Sequence, residues 1–423
     1  MFSSSTLLSL LLITASVTNA SPIQRDLGSS ILKVASQLNL GKKTLVDLDR
    51  ERCLARHHKT KPHDKRTASE ALADNGVAFT AKVGFGSPAT EYNLLIDTGS
   101  SNTWAGAKNS EAYHPTSTSK RQSEYIVRLF FLPSQTQSNS LHQFMSYGSG
   151  QMSGDTYTDQ VTLGNGLVIK NQFIGFSTES QGFTGIDGIL GLGPVELTRG
   201  TLSNGNKTVL TVMDQLYKQK TIKTETLGIY FAPSAGVLPT GELSFGDVDT
   251  SKVVGAVHYV PVTKNAFAGK YWGIDQSISY GGEQILQESA GIVDTGTTLV
   301  MISAKAFAKY EKATGGVVDS ATGMLKITAA QFAKLKNLDF KIGTKTFSLI
   351  PDAQIWPRAL NSAIGGDKNS IYLVVQSFGD DTGVGFEFIN GFSFLQRFYS
   401  VYDTTNKRIG FAQTASTNTK TNY

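Results

Sequence analysis

Two stretches of the chain, residues 94–100 (LLIDTGS) and residues 291–297 (GIVDTGT), follow one pattern. In each, an apolar run of the kind that forms a buried β-strand ends in Asp-Thr-Gly. The two aspartates, Asp97 and Asp294, lie 197 residues apart, about half of the length that follows Arg66. The pattern predicts a duplicated lobe in which each copy brings one carboxylate to the end of a buried strand.

A lone Asp-Thr-Gly is also an ordinary turn, and the chain holds a third copy at residues 381–383. Gly379 and Asp380 precede that copy and no apolar run leads into it, so it is predicted to be a surface turn. Glycine is required in the other two copies, because a side chain at that position would block close approach to the carboxylates.

Two carboxylates that meet across a pseudo-twofold axis cannot both be ionised at low cost. The pair is therefore expected to hold one proton and to titrate as a coupled unit. The ionised member acts as a base on a bound water, while the protonated member acts as an acid. This chemistry needs neither a metal nor a cofactor.

The charge distribution argues against a nucleic-acid or membrane-binding surface in the body of the protein. The formal net charge of the 423 residues is +5, but residues 21–66 alone contain eleven Lys and Arg against five Asp and Glu. The remainder, from Thr67 onward, has a net charge of −1. The only cysteine, Cys53, lies in the basic stretch, so the body has no thiol for a disulfide, a metal site or a nucleophile.

Three segments are predicted from the N-terminus onward. Residues 1–20 have the apolar core and small-residue end of a signal peptide, with a buried N-terminal helix as the alternative. Residues 21–66 form a basic propeptide that is cleaved after Lys65-Arg66, unless the stretch is a charged linker that is never cut. Residues 67–423 form the mature protein. The N-terminal apolar run is too short to span a bilayer, and no other stretch approaches the roughly 20 apolar residues of a membrane-spanning helix, so a secreted product without a membrane anchor is expected.

The mature part is predicted to be all-β. Short apolar or alternating runs at residues 77–85, 160–163 and 227–231 are broken by Gly, Asn, Ser and Thr, which is typical of strands and turns. Helical patterns are limited to residues 209–219, 304–313 and 329–334, which are predicted to be connecting helices.

From about residue 77 to residue 412 the chain resembles the pepsin family of aspartic endopeptidases. The resemblance rests on the two Asp-Thr-Gly stretches, on residues 185–193 (GIDGILGLG) and on residues 398–403 (FYSVYD). It implies two β lobes, about 67–250 and 251–423, that are related by a pseudo-twofold axis and separated by a cleft. It also implies that Asp97 and Asp294 are catalytic and hydrolyse peptide bonds of protein and peptide substrates at acid pH. The absence of disulfides fits a fungal branch of the family.

The resemblance assigns roles to further residues, each of which could equally be a core residue. The flap hairpin corresponds to residues 147–150 (YGSG), where Tyr147 would close over substrate and bond to Trp104. Thr98 and Thr295 would hold the two catalytic loops together, with Ser100 in support. The substrate-binding residues would be Gly148, Ser149, Gly99, Gly296 and Thr297 for the substrate backbone, and Leu95, Ile186 and Ile189 for an apolar pocket that prefers large apolar residues.

Two stretches depart from the family pattern. Residues 389–392 read Ile-Asn-Gly-Phe where an aliphatic pair, Gly and Asp are usual, which puts the local packing in question. Residues 127–143 have no counterpart in the family pattern and are predicted to be an intron retained in the gene model. The codons of Val127 and Arg128 can give a GT start that resembles a splice donor, and the codon of Gln143 can be CAG, which resembles a splice acceptor. The alternative is a genuine surface loop.

The sequence therefore predicts a secreted, monomeric aspartic endopeptidase made as a zymogen. Lys and Arg of the propeptide would lie across the acidic cleft at neutral pH and leave on acidification. The alternatives are a catalytically inactive binding protein on the same fold and a vacuolar rather than extracellular enzyme. Asn206, in Asn-Lys-Thr, is a candidate N-glycosylation site.

Overall fold

The computed structural model describes residues 30–39, 43–58, 76–106, 120–121, 141–147, 150–164, 166–183, 185–203, 205, 207–233, 240–379 and 385–422. Several predictions lie outside these residues. They are the signal peptide, the Lys65-Arg66 cleavage site, Gly148, Ser149, Asn206, the third Asp-Thr-Gly copy and most of the predicted insertion.

The first half of the described chain forms these elements: β1 (Ser30–Asn39), α1 (Leu45–His58), β2 (Gly76–Phe85), β3 (Thr90–Asp97), β4 (Trp104–Ala105), β5 (Lys120–Arg121), β6 (His142–Tyr147), β7 (Gly150–Leu163), β8 (Leu167–Gln181), β9 (Gly188–Gly191), α2 (Val212–Lys218), β10 (Thr226–Ala232) and β11 (Thr240–Phe245). The second half forms β12 (Val254–Pro261), β13 (Gly273–Tyr280), β14 (Glu283–Val293), β15 (Val300–Ile302), α3 (Ala304–Thr314), β16 (Val317–Val318), β17 (Leu325–Ile327), α4 (Ala329–Phe332), β18 (Leu338–Ile342), β19 (Lys345–Leu349), β20 (Ile371–Leu373), β21 (Val375–Ser377), β22 (Phe388–Asn390), α5 (Phe392–Leu395), β23 (Phe398–Asp403) and β24 (Arg408–Gln413). Short 3₁₀ helices lie at Val195–Thr198, Thr250–Lys252, Ala268–Lys270, Pro351–Gln354 and Arg358–Ile364.

The prediction of an all-β, two-lobed fold is confirmed. Fourteen strands form one sheet, thirteen of them in the order β12-β24-β23-β10-β11-β1-β2-β3-β9-β4-β8-β7-β5, with β6 paired to β7. The second lobe is built on a seven-stranded sheet, β19-β18-β13-β14-β22-β15-β21, and a three-stranded sheet, β16-β17-β20. The predicted connecting helices appear as α2, α3 and α4, the first and last of them shorter than expected.

The two lobes repeat one local arrangement around each aspartate. Strand β3, which ends at Asp97, lies between antiparallel β2 and parallel β9. Strand β14, which leads into Asp294, lies between antiparallel β13 and parallel β22. Because the flanking strands have the same directions in both lobes, each carboxylate leaves its sheet in the same way. The predicted duplication therefore has a direct structural counterpart.

The N-terminal basic stretch folds onto the body of the protein. Strand β1 inserts between β2 and β11 and pairs with both of them. Helix α1 begins at a capping box, in which Thr44 Oγ1 accepts the N–H of Asp47 at 3.1 Å and Asp47 Oδ2 accepts the N–H of Thr44 at 3.3 Å. Leu45 and Cys53 of this helix are buried. The described part of this stretch is thus an integral part of the fold.

Leu141, His142 and Gln143 belong to the predicted insertion but also to the described structure. Strand β6 begins at His142, and Gln143 is fully buried. Strand β6, which leads to residues 147–150, therefore begins inside the predicted insertion. Among the described residues, no helix is long and apolar enough to cross a membrane.

Candidate active site

The two Asp-Thr-Gly loops are tied together by reciprocal hydrogen bonds between their threonines. The N–H of Thr98 donates to Thr295 Oγ1 at 3.0 Å, and the N–H of Thr295 donates to Thr98 Oγ1 at 3.0 Å. Thr295 Oγ1 in turn donates to the carbonyl of Ile96 at 2.9 Å. Both threonines are fully buried, so these bonds are shielded from water. In the structure the two threonines therefore link the two Asp-Thr-Gly loops to each other.

The carboxylates of Asp97 and Asp294 each receive the same two kinds of local donor. The N–H of Gly99 donates to Asp97 Oδ1 at 2.9 Å, and Ser100 Oγ donates to Asp97 Oδ2 at 2.5 Å. In the second loop, Gly296 donates to Asp294 Oδ1 at 3.0 Å and Thr297 Oγ1 donates to Asp294 Oδ2 at 2.5 Å. Main-chain and hydroxyl donors therefore hold both carboxylates in fixed orientations.

The glycines allow the two carboxylates to approach each other. A Cβ on Gly99 would lie 2.5 Å from Asp294 Oδ1, and a Cβ on Gly296 would lie 2.7 Å from Asp97 Oδ1. Both distances are shorter than real Cβ contacts allow. Each glycine thus faces the aspartate of the opposite lobe, which is the close approach that the sequence analysis anticipated.

The two aspartates differ in their affinity for a proton. Burial and the neighbouring charge of Asp294 raise the pKa of Asp97 to about 6, although the Ser100 hydroxyl opposes the shift. Burial alone would also raise the pKa of Asp294, but the charge of Arg56 and the Thr297 hydrogen bond lower it below its usual value. Below about pH 6, and above the lowered pKa of Asp294, Asp97 is therefore the member that holds a proton and Asp294 the member that is ionised.

The charge that creates this difference comes from the N-terminal basic stretch. Arg56, on helix α1, forms an ion pair with Asp294 Oδ2, and its side chain is only 10% exposed. The Asp294 charge raises the pKa of Arg56 despite its burial, so the guanidinium stays charged. The sequence predicted that a basic side chain of this stretch would reach the cleft but did not identify which one.

A second side chain of helix α1 contacts the loop that follows Asp294. The carboxylate of Asp49 is fully buried and accepts the N–H of Leu299 at 2.7 Å and the N–H of Thr298 at 3.1 Å. Arg52, one turn further along α1, pairs with the same carboxylate at 3.0 Å. The sequence did not predict a role for Asp49, because the excess of Lys and Arg in this segment indicated only positively charged side chains in the cleft.

The flap tyrosine and its predicted partner are in contact. Trp104 Nε1 donates to the hydroxyl of Tyr147 at 2.9 Å. Leu95, Ile186 and Ile189 pack in the same apolar cluster as Trp104, with Tyr147 against it. The structure therefore brings the predicted pocket residues together beside the flap.

Two aromatic residues near the site had no motif to mark them. The ring of Phe183 packs edge-on against Trp104 at 4.9 Å and against Tyr147 at 5.5 Å, measured between ring centroids. Burial raises the pKa of the Tyr271 phenol, while the charge of Arg56 lowers it, so Tyr271 lies within electrostatic reach of the site. Both residues become recognisable only once the fold places them.

The comparisons with known proteins agree with this geometry. A model of the eukaryotic aspartyl protease family matches residues 78–414. The chain belongs to that family and is a pepsin-like aspartic endopeptidase.

A curated relative and a crystal structure, both from Irpex lacteus, and one vertebrate enzyme show how far the similarity extends. Polyporopepsin from that organism is 51% identical over 349 residues, which cover 82% of this chain and 97% of the relative. The crystal structure of the aspartic proteinase from Irpex lacteus has a TM-score of 0.75 and 50% identity, and covers 82% of this chain and 96% of that one. Cathepsin E of Rattus norvegicus is 28% identical over 79% of each chain.

Proposed function

We propose that the chain is the secreted precursor of an acid endopeptidase, with Asp97 and Asp294 as its catalytic pair and residues 21–66 as its inhibitor. The observation that carries the proposal is the buried ion pair between Arg56 and Asp294. The cation holds the carboxylate ionised and fills the place beside it that a substrate and the attacking water need.

In the processed enzyme the same pair of carboxyl groups would divide the work of hydrolysis. The ionised carboxylate takes a proton from a bound water, which attacks the peptide carbonyl carbon. The protonated carboxyl group donates its proton to the carbonyl oxygen, which gives a tetrahedral diol. The carboxyl group that took up the water proton then passes it to the amide nitrogen as the C–N bond breaks and the amine leaves, while the other carboxylate takes a proton back from a diol hydroxyl. The Gly99 and Gly296 N–H groups and the Ser100 and Thr297 hydroxyls keep both carboxyl groups oriented throughout.

Acid release follows from the direction of the pKa shift. The pKa of Asp294 is lowered while Arg56 is bound, so the ion pair stabilises the docked segment above the pKa of the free carboxylate. That stabilisation is lost as pH falls through the lowered pKa, because the carboxylate takes up a proton and the guanidinium cannot lose one. Helix α1 is then held by fewer interactions, and the segment leaves the cleft.

The experiment that tests the proposal compares precursor at neutral pH with precursor that has been acidified. We expect no hydrolysis of a denatured protein at neutral pH. After acidification we expect activity together with a new N-terminus near Thr67, read by N-terminal sequencing. A precursor that is equally active at both pH values, with residues 21–66 still attached, would contradict the proposal.

A preference for large apolar substrate residues is supported by the cluster around the flap. Leu95, Ile186 and Ile189 form an apolar wall with Trp104 behind it. Mapping the cleavage sites in a denatured protein tests this, since we expect large apolar residues beside most of the cut bonds.

The retained-intron proposal for residues 127–143 gains support from Gln143. This side chain is fully buried, and its Oε1 has no hydrogen-bond partner among the described residues, although its Nε2 donates to Asn102 at 2.8 Å. That oxygen lies against Gly175, where an added Cβ would be 2.0 Å from it. Deleting residues 127–143 would place Ile126 there instead, which removes an unpaired buried acceptor. A peptide map of the secreted protein that contains residues 127–143 would contradict this proposal.

Export and processing complete the proposal. The N-terminal apolar segment supports secretion, with a vacuolar enzyme as the alternative, and recovery from culture medium or from cell lysate distinguishes the two. Each chain supplies both aspartates, which supports a monomer. Glycosylation at Asn206 is tested by a mass shift on treatment with an N-glycosidase.

A further inference from the structure

The departure at residues 389–392 introduces a buried amide beside the second catalytic loop. Asn390 Nδ2 donates to Gln276 Oε1 at 2.8 Å, and Gln276 Nε2 donates to Asn390 Oδ1 at 3.1 Å. Both side chains are fully buried. Each amide thus satisfies the other through two reciprocal hydrogen bonds, an arrangement we call the amide pair.

The amide pair bridges the strand that carries Asp294. Gln276 lies on β13 and Asn390 on β22, and these strands flank β14 on either side. The pair therefore links the two neighbours of β14 to each other by side-chain bonds. The backbone pairing of each neighbour with β14 is reinforced in this way.

The first lobe provides an internal comparison, because the strand registers identify the equivalent positions. Thr80 pairs with Leu95, two residues before Asp97, as Gly273 pairs with Ile292, two residues before Asp294. Three residues further along these strands, Val83 in the first lobe is therefore equivalent to Gln276 in the second lobe.

The other partner is found in the same way. Leu190 pairs with Ile96, and Asn390 pairs with Val293, each one residue before its aspartate. Val83 and Leu190 are both fully buried members of the apolar core. The first lobe therefore has two apolar side chains where the second lobe has the amide pair.

The segment that begins at Asn390 is bonded directly to the second catalytic loop. The carbonyl of Asn390 accepts the N–H of Asp294 at 3.2 Å. Two residues on, the N–H of Phe392 donates to the carbonyl of Thr297 at 2.7 Å, and the N–H of Ser393 donates to the carbonyl of Thr298 at 2.9 Å. A shift of Asn390 would move these three contacts together.

We propose that Gln276 and Asn390 are positioning residues for the peptidase reaction, and that their amide pair sets the place of the Asp294 loop relative to Asp97. The proposal rests on the catalytic role of Asp294 proposed above. Buried, mutually satisfied amides favour one arrangement of their strands, because any slip leaves both amides unpaired. Apolar side chains such as Val83 and Leu190 impose no such directional requirement.

The test replaces the amide pair by the side chains of the first lobe. The variant Gln276→Val/Asn390→Leu removes both amides at once and leaves no unpaired polar group, so it is expected to fold. We expect its kcat to fall about 10-fold, with KM within about 2-fold of the wild-type value, because small displacements of reacting groups slow the chemical step. The exchanged variant Gln276→Asn/Asn390→Gln keeps two amides and is expected to recover part of the lost kcat.

The control is Tyr310→Phe, which removes a buried hydrogen bond to Gln354 in the same lobe. That bond joins α3 to a 3₁₀ helix and not to the catalytic loop, so we expect a lower melting temperature with an unchanged kcat. A double apolar variant with wild-type kcat would overturn the proposal, and so would an equal loss of kcat in the control. Asp294→Asn is measured in parallel. If that variant stays active, the proposed role of Asp294 fails; if it is inactive while the double variant is unimpaired, only the positioning role fails.

Discussion

Individual atoms decide how closely the two carboxylates can approach. Gly99 and Gly296 each face the aspartate of the other lobe at a distance that leaves no room for a methyl group. The hydroxyls of Ser100 and Thr297 are not identical, yet each donates to its aspartate in the same way. The close approach of the two carboxylates therefore requires a hydrogen atom, not a side chain, at each glycine.

We predict that Gly99→Ala lowers kcat by about 100-fold, because its methyl group would displace the Asp294 carboxylate. Activity of the processed enzyme is the measurement. Gly316→Ala serves as the matched control, since its Cβ would meet side-chain atoms of Leu325 at 3.1 Å, away from the aspartates. Full activity in Gly99→Ala would show that the loops tolerate a side chain at this approach.

Some residues of the site could be predicted from the sequence and others could not. Asp97 and Asp294 stand in a repeated motif with apolar strands before them, so local sequence marks them as candidates. Phe183 and Tyr271 belong to no motif, and only the folding of distant strands brings them to the site. The same limit applies to Gln276, whose partner Asn390 lies 114 residues away.

Helix α1 is the element that links the N-terminal segment to the site. Its Asp49 and Arg56 are seven residues, or about two turns, apart, so both face the second lobe. The sequence predicted a basic segment over the cleft, but its eleven Lys and Arg looked alike. Which of them pairs with Asp294 depends on where β1 and α1 dock, and composition contains no information about that.

We predict that Arg56→Gln weakens inhibition by the N-terminal segment. Removing the guanidinium from a buried ion pair costs about 3 kcal/mol, or roughly 100-fold in affinity. The measurement is the inhibition constant of a peptide of residues 30–58 against the processed enzyme at neutral pH. The control peptide carries Lys43→Gln, which breaks a half-exposed ion pair with Glu51 and is expected to change little. Equal inhibition by the Arg56→Gln and wild-type peptides would contradict the prediction.

The molecule as a whole depends on contacts between its lobes. Trp272 Nε1 donates to the carbonyl of Leu192 at 3.0 Å, and the N–H of Leu192 donates to the carbonyl of Asp97 at 2.8 Å. Phe392 of the second lobe packs against Phe79 of β2, with ring centroids 4.8 Å apart. Phe392, which stands where the family usually has Asp, thus contributes to the contact between the lobes.

The neighbouring carboxyl groups of Glu225 and Asp214 are expected to make the stability of the fold depend on pH. Burial and the hydrogen bond with Asp214 raise the pKa of Glu225 to about 8. Because this folded-state pKa lies above the unfolded value of about 4.3, the pair stabilises the fold fully at acid pH. That stabilisation is lost as pH rises through about 8, where Glu225 ionises beside Asp214.

We therefore predict that Glu225→Gln reduces the loss of stability at alkaline pH, since a glutamine cannot ionise. The measurement is the melting temperature at about pH 5 and about pH 9, where the variant should lose several degrees less than the wild-type protein. Glu288→Gln, at an exposed position on β14, is the control and should behave like the wild type. Identical pH dependence in Glu225→Gln and wild-type protein would count against the carboxyl pair.

The proposal that Asp97 and Asp294 are the catalytic pair is tested most directly by hydrolysis of a denatured protein. The processed enzyme and its Asp97→Asn and Asp294→Asn variants are compared from acid to neutral pH. We predict that the wild-type enzyme is active in acid. Either substitution should lower kcat by about 1,000-fold or more while the fold is retained, because both aspartates take part in the proton transfers. Substantial activity in either folded variant would contradict the assignment of the two aspartates as the catalytic pair.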